Sequence, residues 1–209
     1  MCLIGLALDA HPRFQLVIAA NRDEFFDRPA APLDWWRTSP NTPWLLGGRD
    51  LSAGGTWMAL SEQGRVGMLT NVRDPSRHRP NAPSRGALVT AWLDGSVDDA
   101  QGHNPFNLIG GDLNTGQWWW RSDRHAATPL AAGVHALSNA ALNEPWPKVR
   151  RLSAAMEGAL RSNDDALIAS LFALLNDRGI AADADLPDTG IGLERERLLS
   201  PIFITTPEG

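Results

Sequence analysis

Cysteine occurs once in the 209 residues, at position 2. A single thiol closes no internal disulfide, which excludes a disulfide-stapled scaffold and a multi-cysteine zinc site. Tyrosine is absent and eighteen of the nineteen basic residues are arginine, a bias consistent with codon usage from which we draw no function. No run reaches the roughly 18 to 20 apolar residues of a membrane span. The N-terminus also lacks the basic and apolar regions of a secretory signal, so the expected location is the cytoplasm. Basic residues are outnumbered by 24 acidic ones, for a formal net charge of -5. The general attraction to phosphate backbones that nucleic-acid binding requires is therefore missing. His11, His78, His103, His125 and His135 fall at no metal-ligand spacing, and there is no Cys-x-x-Cys-His for covalent haem attachment. No metal site and no required cofactor are expected.

What is present reads as a folded chain, with 43% hydrophobic and 21% charged residues. At this length one core hides about 70% of the surface that the unfolded chain exposes, so a single domain over 1–209 is the expectation. Cys2 to Leu8 and Phe14 to Ala20 are apolar runs of strand length joined by Asp9-Ala10-His11-Pro12-Arg13, an N-terminal hairpin. Residues 27–55 show no sustained period and read as a long ordered loop with a short strand at Trp44 to Leu46. Thr56 to Leu60 and Arg65 to Asn71 form a second hairpin, expected to extend the same sheet. Ser84 suits the N-cap of a helix through Trp92 that stops at Asp94-Gly95.

Phe106 to Gly110 and Gln117 to Arg121 form a third hairpin, with a strand at Val134 to Ser138. Trp118, Trp119 and Trp120 alternate across it, so neighbours face opposite ways. From Pro147 the apolar spacing turns helical in two successive segments. Leu198 to Thr205 reads as a last strand. Antiparallel hairpins with helices gathered elsewhere give an α+β layered fold.

Removal of Met1 would leave Cys2 carrying a thiol and a free α-amine on one residue. An α-amine titrates at about 7.7 to 8.0 and a thiol at about 8.5, near the range useful for proton transfer. Such an amine-activated nucleophile attacks amide carbonyls through an acyl intermediate and needs oxyanion donors and an orienting charge. If Met1 stays, the amine is held in a peptide bond and cannot act as base. Hairpin pairing brings Asn21-Arg22-Asp23-Glu24 back beside Cys2. There Arg22 would lower the thiol pKa, Asp23 would hold the α-ammonium, and Glu24 would pair with Arg22. The alternative reading is an ion pair that ties a strand end to the following loop.

Several segments together resemble a family. They are Met-Cys-Leu-Ile, Ala-Ala-Asn-Arg-Asp-Glu-Phe-Phe-Asp-Arg-Pro, Gly-Gly-Arg-Asp-Leu, Gly-Gly-Thr-Trp-Met, Leu-Thr-Asn-Val-Arg-Asp-Pro, Ser-Arg-Gly, Leu-Ser-Asn and Leu-Pro-Asp-Thr-Gly. In this company the chain resembles the NRDE family, also called the transport-and-Golgi-organisation protein 2 family, through nearly its whole length. The resemblance implies an N-terminal-nucleophile hydrolase fold, an αββα sandwich of antiparallel sheets, with distant similarity to bile-salt and penicillin V acylases. It makes Cys2, Arg22, Asp23, Asn71 and Asn139 the candidate catalytic residues of a cysteine amidohydrolase acting on C–N bonds other than peptide bonds, with Asn71 and Asn139 as oxyanion or substrate donors. The acylases separate Arg and Asp by two residues, whereas Arg22 and Asp23 are adjacent. The family normally continues with a Tyr-Gly-Thr-Arg segment and a closing strand, and on this resemblance the chain is expected to lack that C-terminal segment.

The resemblance also implies haem trafficking, or acyl-CoA binding and lipid metabolism. These ligands share a large apolar body and anionic groups, which call for aromatic walls and a few arginine donors. Asn21, Glu24, Trp57 and Arg73 are the candidate ligand-binding residues, and a Cys2 thiolate is a possible axial ligand to a carried haem. Arg73, Arg77 and Arg79 make a basic loop that reads either as a holder of propionates or phosphates or as a solvated turn. Trp35, Trp36, Trp44 and Trp57 read either as pocket walls or as ordinary packing. The expected partner is a small molecule.

Overall fold

Every side chain of the first strand is buried, which puts an all-apolar segment in the middle of its sheet. The computed structural model describes residues 2–96 and 100–209. In chain order the strands are β1 (Cys2–Leu8), β2 (Leu16–Arg22), β3 (Ala30–Trp36), β4 (Leu45–Asp50), β5 (Met58–Ser61), β6 (Arg65–Asn71), β7 (Phe106–Asp112), β8 (Gln117–Ser122), β9 (Thr128–Pro129) and β10 (Gly133–Leu137). The helices are α1 (Gly86–Asp94), α2 (Pro147–Ala159), α3 (Asp164–Leu175) and α4 (Leu193–Leu198). The class is α+β with antiparallel sheets, as expected. The chain divides into two units, each with its own sheet.

The first unit comprises the stretch ending at Glu24, Arg73–Ser76 and Ala131–Gly209. Its sheet has the antiparallel order β10-β1-β2, with Cys2 opposite Arg22 and Ile4 opposite both Ala20 and Leu137. Leu3 packs with Val149, Leu152 and Ile202, and Ala7 with Met156, Ala159 and Leu160. Between them Gly5 makes the close approach possible, since a Cβ there would stand 2.8 Å from Met156 Sδ. These pairings advance together along both elements, so α2 runs in the direction of β1 and its first turn lies at the Cys2 end. Each fully buried Leu or Ile of this cluster contributes about 1.5–3 kcal/mol. Pro147 suits the first helical position because its missing N–H has no intrahelical acceptor to lose. Asn163 caps α3 by accepting from Ala166 N at 3.0 Å.

The second unit, Phe25–Val72 with Arg77–Leu130, holds a seven-stranded antiparallel meander in sequence order from β3 to β9. Helix α1 covers part of it through Leu88, Val89 and Leu93, which pack with Leu45, Ala59, Leu69, Phe106 and Leu108. Trp118 and Trp120 are buried on one face, and Trp119 turns to the other, meeting Trp92 edge-on at 5.0 Å.

Four expectations are corrected. Residues 27–55 form two strands, β3 and β4, rather than a loop with one short strand. As a sheet edge, β3 is mostly exposed, contains Pro32 and carries an irregularity between Ala31 and Asp34, so it shows no apolar alternation to read. The β5–β6 hairpin joins this second sheet rather than extending the one containing β1. Leu198 to Thr205 is not a strand: α4 ends at Leu198 and Pro201 follows, with Ile202 buried and Phe203 partly exposed. Ser84 does not cap α1, whose cap position is Arg85 without a side-chain bond. No described helix is long and apolar enough to cross a membrane.

Candidate functional site at Cys2

Cys2 opens β1 directly opposite Arg22 on β2, and residues opposed in this way project from the same face. The next residue along, Asp23, turns its backbone N–H to the Cys2 sulfur. Cys2 is 8% exposed. Burial pushes its thiol up to about 11, with the Asp23 carboxylate adding to the rise and Arg22 opposing it. Arg22 thus acts in the direction expected of it, but loss of hydration outweighs it and the thiol is neutral at physiological pH. Arg22 also pairs with Glu24 at 3.7 Å.

Arg73 enters the same unit from a four-residue segment. Its backbone N donates to the Asn139 carbonyl at 2.7 Å, its guanidinium lies 4.8 Å from the Trp146 ring centroid, and its Nη1 is held by Glu196 Oε2. The two charged side chains are 6% and 3% exposed. The other carboxylate oxygen of Glu196 accepts from both the backbone N and the hydroxyl of Thr189. Arg73 Nε and Nη2 are buried and have no acceptor among the described residues.

Lys148, the chain's one lysine, is the second residue of α2 and is 2% exposed. Its Nζ has no hydrogen-bond partner among the described residues. Burial and then Arg73 pull its pKa down, to about 8, against the opposing pull of Asp23, Cys2 and Glu196. Asp23 is pushed up to about 6 by burial, against the pull of Lys148 and Arg73. Two buried cations and two carboxylates therefore share this end of the first unit, a balance that limits the cost of burying any one of them.

Among the residues singled out from the sequence, Cys2, Arg22, Asp23, Glu24 and Arg73 meet here, with Asn139 joining through its backbone. The Asn139 side chain is buried and accepts from Ser138 Oγ at 3.2 Å. Asn21 Nδ2 donates to the carbonyls of Leu175 and Ile202 at 2.8 and 3.0 Å, tying β2 to the end of α3 and to the C-terminal segment. Asn71 and Trp57 belong to the second unit, Asn71 opposite Phe106 at the end of β6 and Trp57 accepting from Leu69 N at 2.8 Å. Arg77 and Arg79 also lie there, bonded to Asp123 and to the His103 carbonyl, so the basic loop does not act as one group. Removal of Met1 lies outside the described residues.

Lys148, Glu196, Thr189 and Trp146 were not anticipated. Thr189 lies inside the Leu-Pro-Asp-Thr-Gly segment, and a solitary lysine among nineteen basic residues is a compositional signal. Glu196 sits in the charged run Leu-Glu-Arg-Glu-Arg-Leu and carries no signal of its own. Among the described residues no group of three or more His, Cys, Asp or Glu is arranged to hold a metal ion.

A family profile described as Transport and Golgi organisation 2 matches residues 1–209. The Transport and Golgi organization protein 2 homolog of Homo sapiens is 36% identical over 229 residues, spanning 97% of this chain and 80% of that protein. The Mus musculus Transport and Golgi organization 2 homolog is 34% identical with the same coverage. Among solved structures, the Caenorhabditis elegans ortholog of N-acylethanolamine-hydrolyzing acid amidase aligns over 98% of this chain and 100% of its own, with a TM-score of 0.48 and 14% identity.

Proposed function

Because this chain belongs to the Transport and Golgi organisation 2 family, with a buried thiol set among paired charges, we propose that it is a cytoplasmic binding and trafficking protein for a large apolar ligand bearing an anionic group, either haem or an acyl-CoA, held at Cys2. The observation that carries this reading is Arg73. Glu196 occupies Nη1, while Nε and Nη2 are left without an acceptor among the described residues. Those two N–H groups form one parallel fork, the geometry that a carboxylate or phosphate accepts in bidentate fashion. A buried donor without a partner costs about 1–3 kcal/mol, which an entering propionate or phosphate would recover. The aromatic surface of Trp146 beneath the guanidinium keeps its plane fixed.

Titration of the purified protein with haemin, followed at the Soret band, and with oleoyl-CoA, followed by calorimetry, tests the reading. One of the two saturates near one equivalent at micromolar concentration, and Arg73→Met weakens it tenfold or more. Absence of saturation by both, or an affinity indifferent to Arg73, overturns it.

The Asp23 N–H directed at the sulfur favours a second reading, a cysteine amidohydrolase. In it Cys2 attacks an acyl amide, Arg22 and Asp23 orient it, Asn139 donates to the oxyanion, and the amine leaves before water releases the acid. Labelling of Cys2 by an acyl-directed probe, read by intact mass, supports it; no label after prolonged incubation removes it.

A further inference from the structure

We propose that the outer face of α3 docks a second copy of this chain, the two helices lying antiparallel about a two-fold axis.

All but Asp164, Asp165 and Ser170 of the twelve residues of α3 are apolar. A surface helix gathers its apolar side chains on one stripe, and here that inner stripe is Leu167, which is buried, with Leu171 and Leu174 packed beside it. The side turned away carries no charge after Asp165. It is led by Ile168 and Phe172, 56% and 72% exposed, with Ala169 and Ala173 exposed next to them. A helix that is apolar on both sides is one that is covered on both sides, and adjoining exposed apolar side chains mark an interaction surface.

The face itself specifies the occupant. Ile168 and Phe172 make one i, i+4 row and Ala169 and Ala173 make the next. The result is a ridge beside a shallow groove, the relief that an identical helix fills when ridges enter grooves. Charge then sets the direction. The N-terminal end of α3 is acidic: Asp164 is held by Arg13, and Asp165 is exposed. The C-terminal end is followed by exposed Arg178, which donates to Thr205 Oγ1 at 3.0 Å and lies 4.4 Å from the Phe203 ring centroid. Antiparallel packing brings Asp165 of one protomer alongside Arg178 of its partner, twice by symmetry, and opposes the two helix dipoles. Parallel packing would bring like charges together. A bilayer is the poorer match, because helices that lie on lipid carry a Lys- and Arg-rich fringe, whereas α3 contains no basic residue.

The face is small beside the roughly 1,200 Å² at which stable interfaces begin, so the dimer is a weak one, with a dissociation constant on the order of 100 μM. Sedimentation equilibrium of the full chain at concentrations spanning that value tests it. The wild type passes from monomer toward dimer. Phe172→Glu sediments as monomer throughout with an unchanged denaturation midpoint, since the ring it replaces is mostly in solvent. Asp165→Arg and Arg178→Asp each weaken the dimer about fivefold or more. Their equimolar mixture recovers it, because each charge again meets its opposite across the interface.

A wild type that stays monomeric well above that concentration overturns the proposal, as does a dimer that survives Phe172→Glu. A mixture of the two charge variants that associates no better than its components also overturns it. Flotation of a monomeric wild type with phosphatidylcholine vesicles, lost in Phe172→Glu, assigns the face to lipid and overturns it as well.

Discussion

Arg73 and Glu196, 123 positions apart in sequence, form a buried ion pair in which the carboxylate is fully engaged and the guanidinium is not. Glu196 divides its two oxygens between Arg73 and Thr189, whereas among the described residues nothing accepts from a two-donor edge of Arg73. The pair therefore fixes the arginine without exhausting it.

Replacing Glu196 by Gln keeps an oxygen for Thr189 but leaves the Arg73 charge buried without its counter-ion. Loss of one partner from such a pair costs about 3–5 kcal/mol, and urea denaturation is expected to show a destabilisation in that range. The double variant Arg73→Met, Glu196→Gln recovers part of the loss, because the stranded charge is then gone.

Asp23 sets a pH dependence in acid. Its folded value is raised to about 6 from the ordinary carboxylate value of 3.8, so the folded protein holds this proton more tightly than the unfolded chain does. The contribution is fully present below pH 3.8 and is lost as pH climbs through 6. Unfolding free energy measured by denaturant from pH 4 to 6.5 is expected to fall by on the order of 2 kcal/mol on account of this group. Asp23→Asn flattens that segment of the curve.

At Gly5 an added methyl meets Met156 Sδ at 2.8 Å and Leu152 at 3.2 Å. Gly5→Ala forces the Met156 and Leu152 side chains to shift, and overpacking of this kind costs about 1–3 kcal/mol. A lower midpoint of urea denaturation than that of the wild type checks it.

Asn21→Ala removes both donors that reach Leu175 and Ile202 and leaves two carbonyls short of a partner. The expected destabilisation is about 2 kcal/mol, read as a lower denaturation midpoint.

The sequence made the local parts of this architecture legible. The β1–β2 hairpin follows from two apolar runs around Asp9 and Pro12, and α2 and α3 follow from their 3.6-residue spacing, because both signals are written over a few consecutive residues. The partnering of sheets was not legible: β5–β6 carries the same hairpin pattern whichever sheet receives it. Strand β3 was invisible because an exposed edge with a proline has no buried face to impose alternation.

At the site, Cys2 and residues 22–24 were predictable from register alone, since a seven-residue antiparallel pairing must return the chain to its start. Arg73 was readable as a basic residue, but its separation from Arg77 and Arg79 was not. Lys148 and Glu196 come from helices whose charged residues look solvent-facing in the linear pattern. Burial also outweighs one expected effect, because the pull of Arg22 toward thiolate is smaller than the cost of dehydrating the sulfur.

The first unit is written in three stretches, and the second occupies most of the chain between them. During synthesis the seven-stranded meander is thus complete once residue 130 has emerged, while β1 and β2 still lack β10, α2 and α4. Cys2 and Asp23 must therefore wait on the ribosome for the lysine that arrives 146 positions after the thiol, and for the glutamate that secures Arg73 later still. The charges around Cys2 are thus completed only after α2 and α4 have been made, and a nascent chain arrested before α2 leaves Asp23 without the buried lysine that faces it.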